Sequence, residues 1–120
     1  MGAGEPPVKR RPLGRHEVRH NLHLEWSARM KTYLISYDLR QPGRDYKTLY
    51  QALQSYGIWW HGLESTWMIR TTQSAAQVRD WLLAHIDRND RLIVTGLNGE
   101  VSWFGLTADS SNWIYQQLAA

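Results

Sequence analysis

The run Thr32-Tyr-Leu-Ile-Ser-Tyr-Asp-Leu39 constrains this chain more than any other segment. It is rich in aromatic and branched side chains, which suit a pleated strand. Apolar residues fall on both of its faces. A strand of this kind needs cover on both sides, which predicts an interior position in a sheet rather than an edge. The remainder of the chain has to supply its neighbours and its cover.

Beyond the loop Gln41-Pro42-Gly43-Arg44, Tyr46, Leu49, Tyr50, Leu53 and Tyr56 recur at helical spacing. They predict a helix over residues 46–56, capped by Asp45 and ended by Gly57. Residues 58–61 (IWWH) read as a short strand, Gly62-Leu63 as a turn, and residues 65–71 as the returning strand of a hairpin. Ser74-Ala-Ala-Gln77 is a capping box that opens a second helix, with Val78, Trp81, Leu82 and Ile86 as its buried stripe. Residues 91–97 predict a fourth strand. Asn98-Gly99 is a strong hairpin signal and predicts a fifth strand over residues 100–104. Asp109 is placed to cap a last short helix carrying Trp113, Ile114 and Leu118.

The order β-α-β-β-α-β predicts an α+β fold, a ferredoxin-like βαββαβ domain with an extra C-terminal hairpin strand and a short C-terminal helix. With right-handed crossovers the expected sheet order is 4-1-3-2. That topology gathers Asp38, His61, Glu64, Ser65, Asp90 and Arg91 at one edge. Both helices cover one face of the sheet, and the other face remains apolar. A symmetric homodimer that stacks the two open faces answers this, and brings two copies of Asp38 near the twofold axis.

Charge divides the chain. The net charge is +3, and residues 1–29 hold six of the 14 Lys/Arg but three of the 11 Asp/Glu, so residues 30–120 carry eight of each. The expected organisation is therefore a disordered basic leader, residues 1–29, before a neutral domain, residues 30–120, with Met30 as a candidate native start. No cysteine is present, which excludes disulfides and thiolate metal sites and fits a cytoplasmic location. No apolar run approaches the length needed to span a bilayer, so no membrane partner is expected.

Seven Trp and six Tyr against one Phe are the compositional oddity. Such rings suit a core, a subunit interface or a base-stacking surface. Trp59 and Trp60 point to opposite faces of their strand; Trp60 and Trp103 are assigned to the interface. Asp38 is an aspartate at the end of a buried strand, where it either holds a divalent cation such as Mg2+ or caps the following loop. His61 is a candidate base and Ser65 a candidate phosphate contact beside Asp38, against the plainer readings of a surface histidine and a turn serine. Arg40, Arg44, Lys47 and Arg91 form a candidate nucleic-acid-binding patch, partly offset by Asp45 and Asp90.

These segments resemble a known family. The strand ending in Tyr-Asp-Leu, the spacing to Gly57, the Ser-x-x pattern at Ser65 and the Asp90-x-Leu-Ile-Val strand are similar to the CRISPR-associated protein two family over residues 30–97. The Trp-Trp-His, Ser-Thr-Trp and Asn-Asp segments resemble its short bacterial SinR-like branch more closely. The resemblance implies a ferredoxin-like homodimer, with a divalent metal at Asp38 and nuclease activity on RNA or DNA in some members, and an architectural role without catalysis in others. Arg40-Gln41-Pro42-Gly43 stands where the family often has a second acidic or polar residue, and Ser-Thr-Trp replaces its Ser-Val-Phe.

Overall fold

The computed structural model describes residues 29–119, so the expected leader lies outside the described residues except for its last position. The chain forms β1 (Lys31–Asp38), α1 (Lys47–Gln54), β2 (Trp59–Leu63), β3 (Thr66–Thr71), α2 (Ala75–Leu83), β4 (Arg91–Gly96) and α3 (Ala108–Ile114), which continues into a π-helical stretch, Tyr115–Ala119. The architecture is α+β. A single four-stranded sheet runs in the order β2-β3-β1-β4, and every neighbouring pair is antiparallel. β1 is interior, with β3 and β4 on its two sides.

Alternation along the strands builds two cores on opposite faces of the sheet. On one face Tyr33, Ile35 and Tyr37 of β1 and Trp67 and Ile69 of β3 meet Leu49 and Leu53 of α1 and Val78 and Leu82 of α2. On the other, Leu34, Trp60 and Met68 lie beneath Trp103, Leu106, Trp113, Ile114 and Leu118. Burial of a side chain such as Ile114 stabilises the fold by about 1.5–3 kcal/mol. Much of the cover over the second face therefore comes from the chain's own residues 97–118, where the sequence pattern pointed to a second copy.

Local chemistry explains the start of α2. The Ser74 hydroxyl accepts from the Gln77 amide, and the Gln77 side chain accepts from the Ser74 amide, completing the capping box at the start of α2. Asp45 does not cap α1 as expected: its carboxylate accepts from the Lys47 amide at 2.9 Å, but the N-cap position is Tyr46, whose side chain makes no capping bond.

Four further expectations are corrected. The β2–β3 turn falls at Glu64-Ser65 rather than at Gly62-Leu63, which extends β2 through a bulge. Residues 100–104 form no strand. The turn itself is present, with Gly99 at φ +96° and the Glu100 amide donating to Asn98 Oδ1. The chain then crosses the face of the sheet instead of pairing with the edge of β4, because Trp103 and Leu106 bury against the second core. Thr107, not Asp109, caps α3 by accepting from the Ser110 amide. Trp81 is exposed on the rim of α2 rather than buried. Among the described residues no helix is long and apolar enough to cross a membrane.

Candidate functional site

Asp38 is the last residue of β1, opposite Arg91 of β4. It lies on the same face as Leu34 and Ser36, beyond the cover given by α3. Its side chain is 59% exposed, and Arg40 Nε donates to Oδ2 at 3.1 Å. An ion pair this open contributes roughly 0–1 kcal/mol, so solvent, a cation or a phosphate competes with it readily. Ser36, Asp38, Arg91 and Ile93 line a shallow concavity of about 280 Å³. Among the described residues no three His, Asp or Glu side chains are grouped to hold a metal ion. A divalent cation at Asp38 would take its other ligands from water, from a phosphate oxygen or from a second Asp38, a set that Mg2+ accepts.

Arg40 reaches Asp38 because its backbone is pinned. Its amide donates to Asp90 Oδ1 at 2.6 Å, the Asp87 amide donates to Oδ2 at 2.7 Å, and the Tyr46 hydroxyl lies 2.9 Å from both oxygens. Partial burial alone pushes the Asp90 carboxyl up, but these donors, with the nearby Arg44 charge, outweigh it and hold the group below its ordinary value. Burial and the Asp90 hydrogen bond together raise the Tyr46 phenol. Arg44 is engaged in the same junction. It pairs with Asp87 at 3.6 Å, donates to the His85 carbonyl at 3.5 Å and sits 5.2 Å above the Tyr46 ring. Of the four basic residues singled out in the sequence, Arg40 and Arg91 flank Asp38, Arg44 braces the loop, and Lys47 stands exposed on the first turn of α1.

The structure does not bring His61 to Asp38. β3 separates β2 from β1, and alternation places His61 on the α1 face while Asp38 lies on the opposite one. The His61 ring instead stacks on the Trp67 indole, with centroids 3.9 Å apart and planes at 11°, and its Nε2 lies 3.0 Å from the Glu64 carbonyl. Ser65 reaches the Asp38 end through its backbone, its carbonyl accepting from the Tyr37 amide at 3.1 Å.

Trp60 and Trp103 serve the second core. Trp60 is 6% exposed and donates from Nε1 to Ser110 Oγ at 2.9 Å. Trp103 donates to Ser111 Oγ at 3.0 Å and meets Tyr115 edge to face. The sequence reading missed an aromatic group on the other face, where Tyr50, Trp59 and His61 surround the buried Trp67. Its signal is the period-2 spacing of Trp59 and His61, with Tyr50 on the helical stripe of α1.

No protein-family model matches this chain, and no solved structure matches it significantly.

Proposed function

We propose that this chain is a nucleic-acid-associated, ferredoxin-like homodimer, akin to the SinR-like branch resembling the CRISPR-associated protein two family, and that its Asp38 end binds a phosphodiester through Mg2+. The ferredoxin-like assignment is supported by the sheet order, which reads β4-β1-β3-β2 from the opposite edge, with a helix between β1 and β2 and another between β3 and β4. The observation that carries the functional reading is the exposed Asp38 carboxylate between Arg40 and Arg91, at the end of an interior strand. Carboxylate and guanidinium side by side suit a metal-bridged phosphate: the arginines bind non-bridging oxygens while the acid holds the cation. One carboxylate among the described residues of each subunit is a thin ligand set, and a twofold mate would double it.

The uncovered part of that face supports the homodimer. Ile93, Ser36, Thr66 and Leu63 form one cross-strand row, in which Ile93 and Leu63 are 59% and 52% exposed. Asp38 would hold a bound Mg2+, whose Lewis acidity would activate water toward phosphorus, and Arg40 and Arg91 would orient the phosphate.

A second reading, binding without hydrolysis, is favoured by the separation of His61 from Asp38, which leaves no histidine among the described residues to act as a general base at the phosphate. The full chain, incubated with labelled RNA and DNA in Mg2+ or in chelator, decides between the two. Cleavage that needs Mg2+ and disappears in Asp38→Ala supports the phosphodiesterase. Mg2+-dependent binding without cleavage supports the architectural reading, and indifference of both binding and cleavage to Asp38 overturns the site.

A further inference from the structure

The α1 face of edge strand β2 carries a second arrangement that the Asp38 site does not use. The Tyr50 and His61 rings lie side by side, 6.2 Å between centroids, and both lie over the buried Trp67 indole, tilted from it by 21° and 11°. Their planes meet at 31°, so together they make a shallowly angled aromatic floor. Trp59 stands at 44° to Trp67, 5.4 Å away, and forms a wall beside that floor. The outer rings remain available: Tyr50 is 38% and Trp59 37% exposed, and His61 is exposed as well. The Glu64 carbonyl accepts from His61 Nε2 and fixes the ring's orientation. Lys47 lies three residues before Tyr50 on α1, so it projects from the same side of the helix one turn nearer its start.

We propose that this floor and wall stack the bases of a single-stranded nucleic acid, with Lys47 contacting its phosphates. The inference rests on the nucleic-acid reading above and names the form of the polymer. Flat rings with a cation at their rim bind single strands because every base has a π-face, while a duplex hides those faces in its own stack. A phosphate-only site would need no such floor, and it would not distinguish a strand with bases from one without.

The experiment uses the full chain and fluorescein-labelled oligonucleotides read by anisotropy: a deoxythymidine strand, an abasic strand of equal length, and a duplex. The thymidine strand is expected to bind at least about tenfold more tightly than the abasic one. Trp59→Ala and His61→Ala each weaken thymidine binding by about tenfold and leave abasic binding unchanged, whereas Trp59→Phe retains it. Lys47→Ala weakens both strands and lowers the salt slope of binding by about 0.7. Arg91→Ala, at the Asp38 end, changes both strands equally. If wild type prefers duplex, or if the Trp59 and His61 variants bind thymidine as wild type does while melting normally, the platform is wrong and the nucleic-acid reading stands. If wild type binds none of the three, both readings fall.

Discussion

The Tyr46 hydroxyl stands 2.9 Å from each carboxylate oxygen of Asp90, joining the residue before α1 to the residue before β4. The same carboxylate accepts from the Arg40 and Asp87 amides, so one side chain ties the β1–α1 connection to the α2–β4 connection. It also fixes the backbone that carries Arg40 to Asp38.

Asp90→Ala is expected to lower stability by about 2–3 kcal/mol, because three donors lose their acceptor together. The acid limb gives an independent check. The folded state holds the Asp90 carboxyl below its ordinary value of 3.8, so its contribution is complete above that value. It is lost as pH falls below about 3.8 through the folded pKa, since the unfolded chain takes up the proton first. Urea titrations at several pH values should show this slope in wild type and a shallower one in the variant.

Four tyrosines are raised, Tyr33, Tyr37, Tyr46 and Tyr56, and Tyr37 and Tyr56 dominate the alkaline limb. Burial pushes the Tyr37 phenol up to about 12, with Tyr50 and Glu64 adding to it and the Trp67 indole N–H opposing it. Burial alone takes Tyr56 to about 12. An unfolded tyrosine ionises near its ordinary value of 10. Both groups therefore favour the folded state fully below that value, and the advantage declines as pH rises from about 10 to about 12. Tyr56→Phe should flatten part of that decline in a denaturation series, and an unchanged slope would remove Tyr56 from the account.

Gly62→Ala tests how the second core is built. A Cβ at Gly62 would fall inside the van der Waals envelope of Trp60 Cζ2 and Cε2. The indole is held between Met68 and Ile114 and by Ser110, so it has little room to retreat. Destabilisation of about 1–3 kcal/mol is expected, together with a shifted Trp60 indole N–H resonance. Ile114→Ala, which removes the buried centre of the covering helix, should cost about 2–5 kcal/mol.

The uncovered row Ile93–Ser36–Thr66–Leu63 makes a further prediction. Ile93→Asp places a charge at the β4 end of the proposed mate-facing surface, while in the subunit Ile93 is exposed and bears little of the fold. Sedimentation should give a dimer for wild type and a particle near the 14.0 kDa chain mass for the variant, with an unchanged melting profile at low concentration. Wild type sedimenting as a monomer at every concentration would remove the homodimer.

Where a local rule was strong, the elements were readable before any coordinates. The Ser74-Gln77 capping box appears with both of its bonds, because its two partners lie within one helical turn. The interior place of β1 followed from apolar residues on both faces of residues 32–39. The Asn98-Gly99 signal named the turn correctly and the strand beyond it wrongly. A hairpin signal describes two residues, whereas the course of residues 100–106 depends on the apolar face of Leu34, Trp60 and Met68, which the sequence does not display as a surface.

By itself the sequence determined the class of fold, the order of β1 through β4, the capping of α2 and the position of Asp38 at a strand end. These depend on periods of 2 and 3.6 residues and on caps that act over one turn. Only the tertiary structure decided which side each candidate faces. It put His61 and Asp38 on opposite faces, drew Trp60 and Trp103 beneath α3, tied Arg44 to Asp87 and assembled Tyr50, Trp59 and His61 over Trp67. The reason is physical. A strand turns its side chain over at every residue, so the bulge between Trp60 and Leu63 and the path of one covering segment set which groups meet, and both are fixed by burial between residues far apart in the chain.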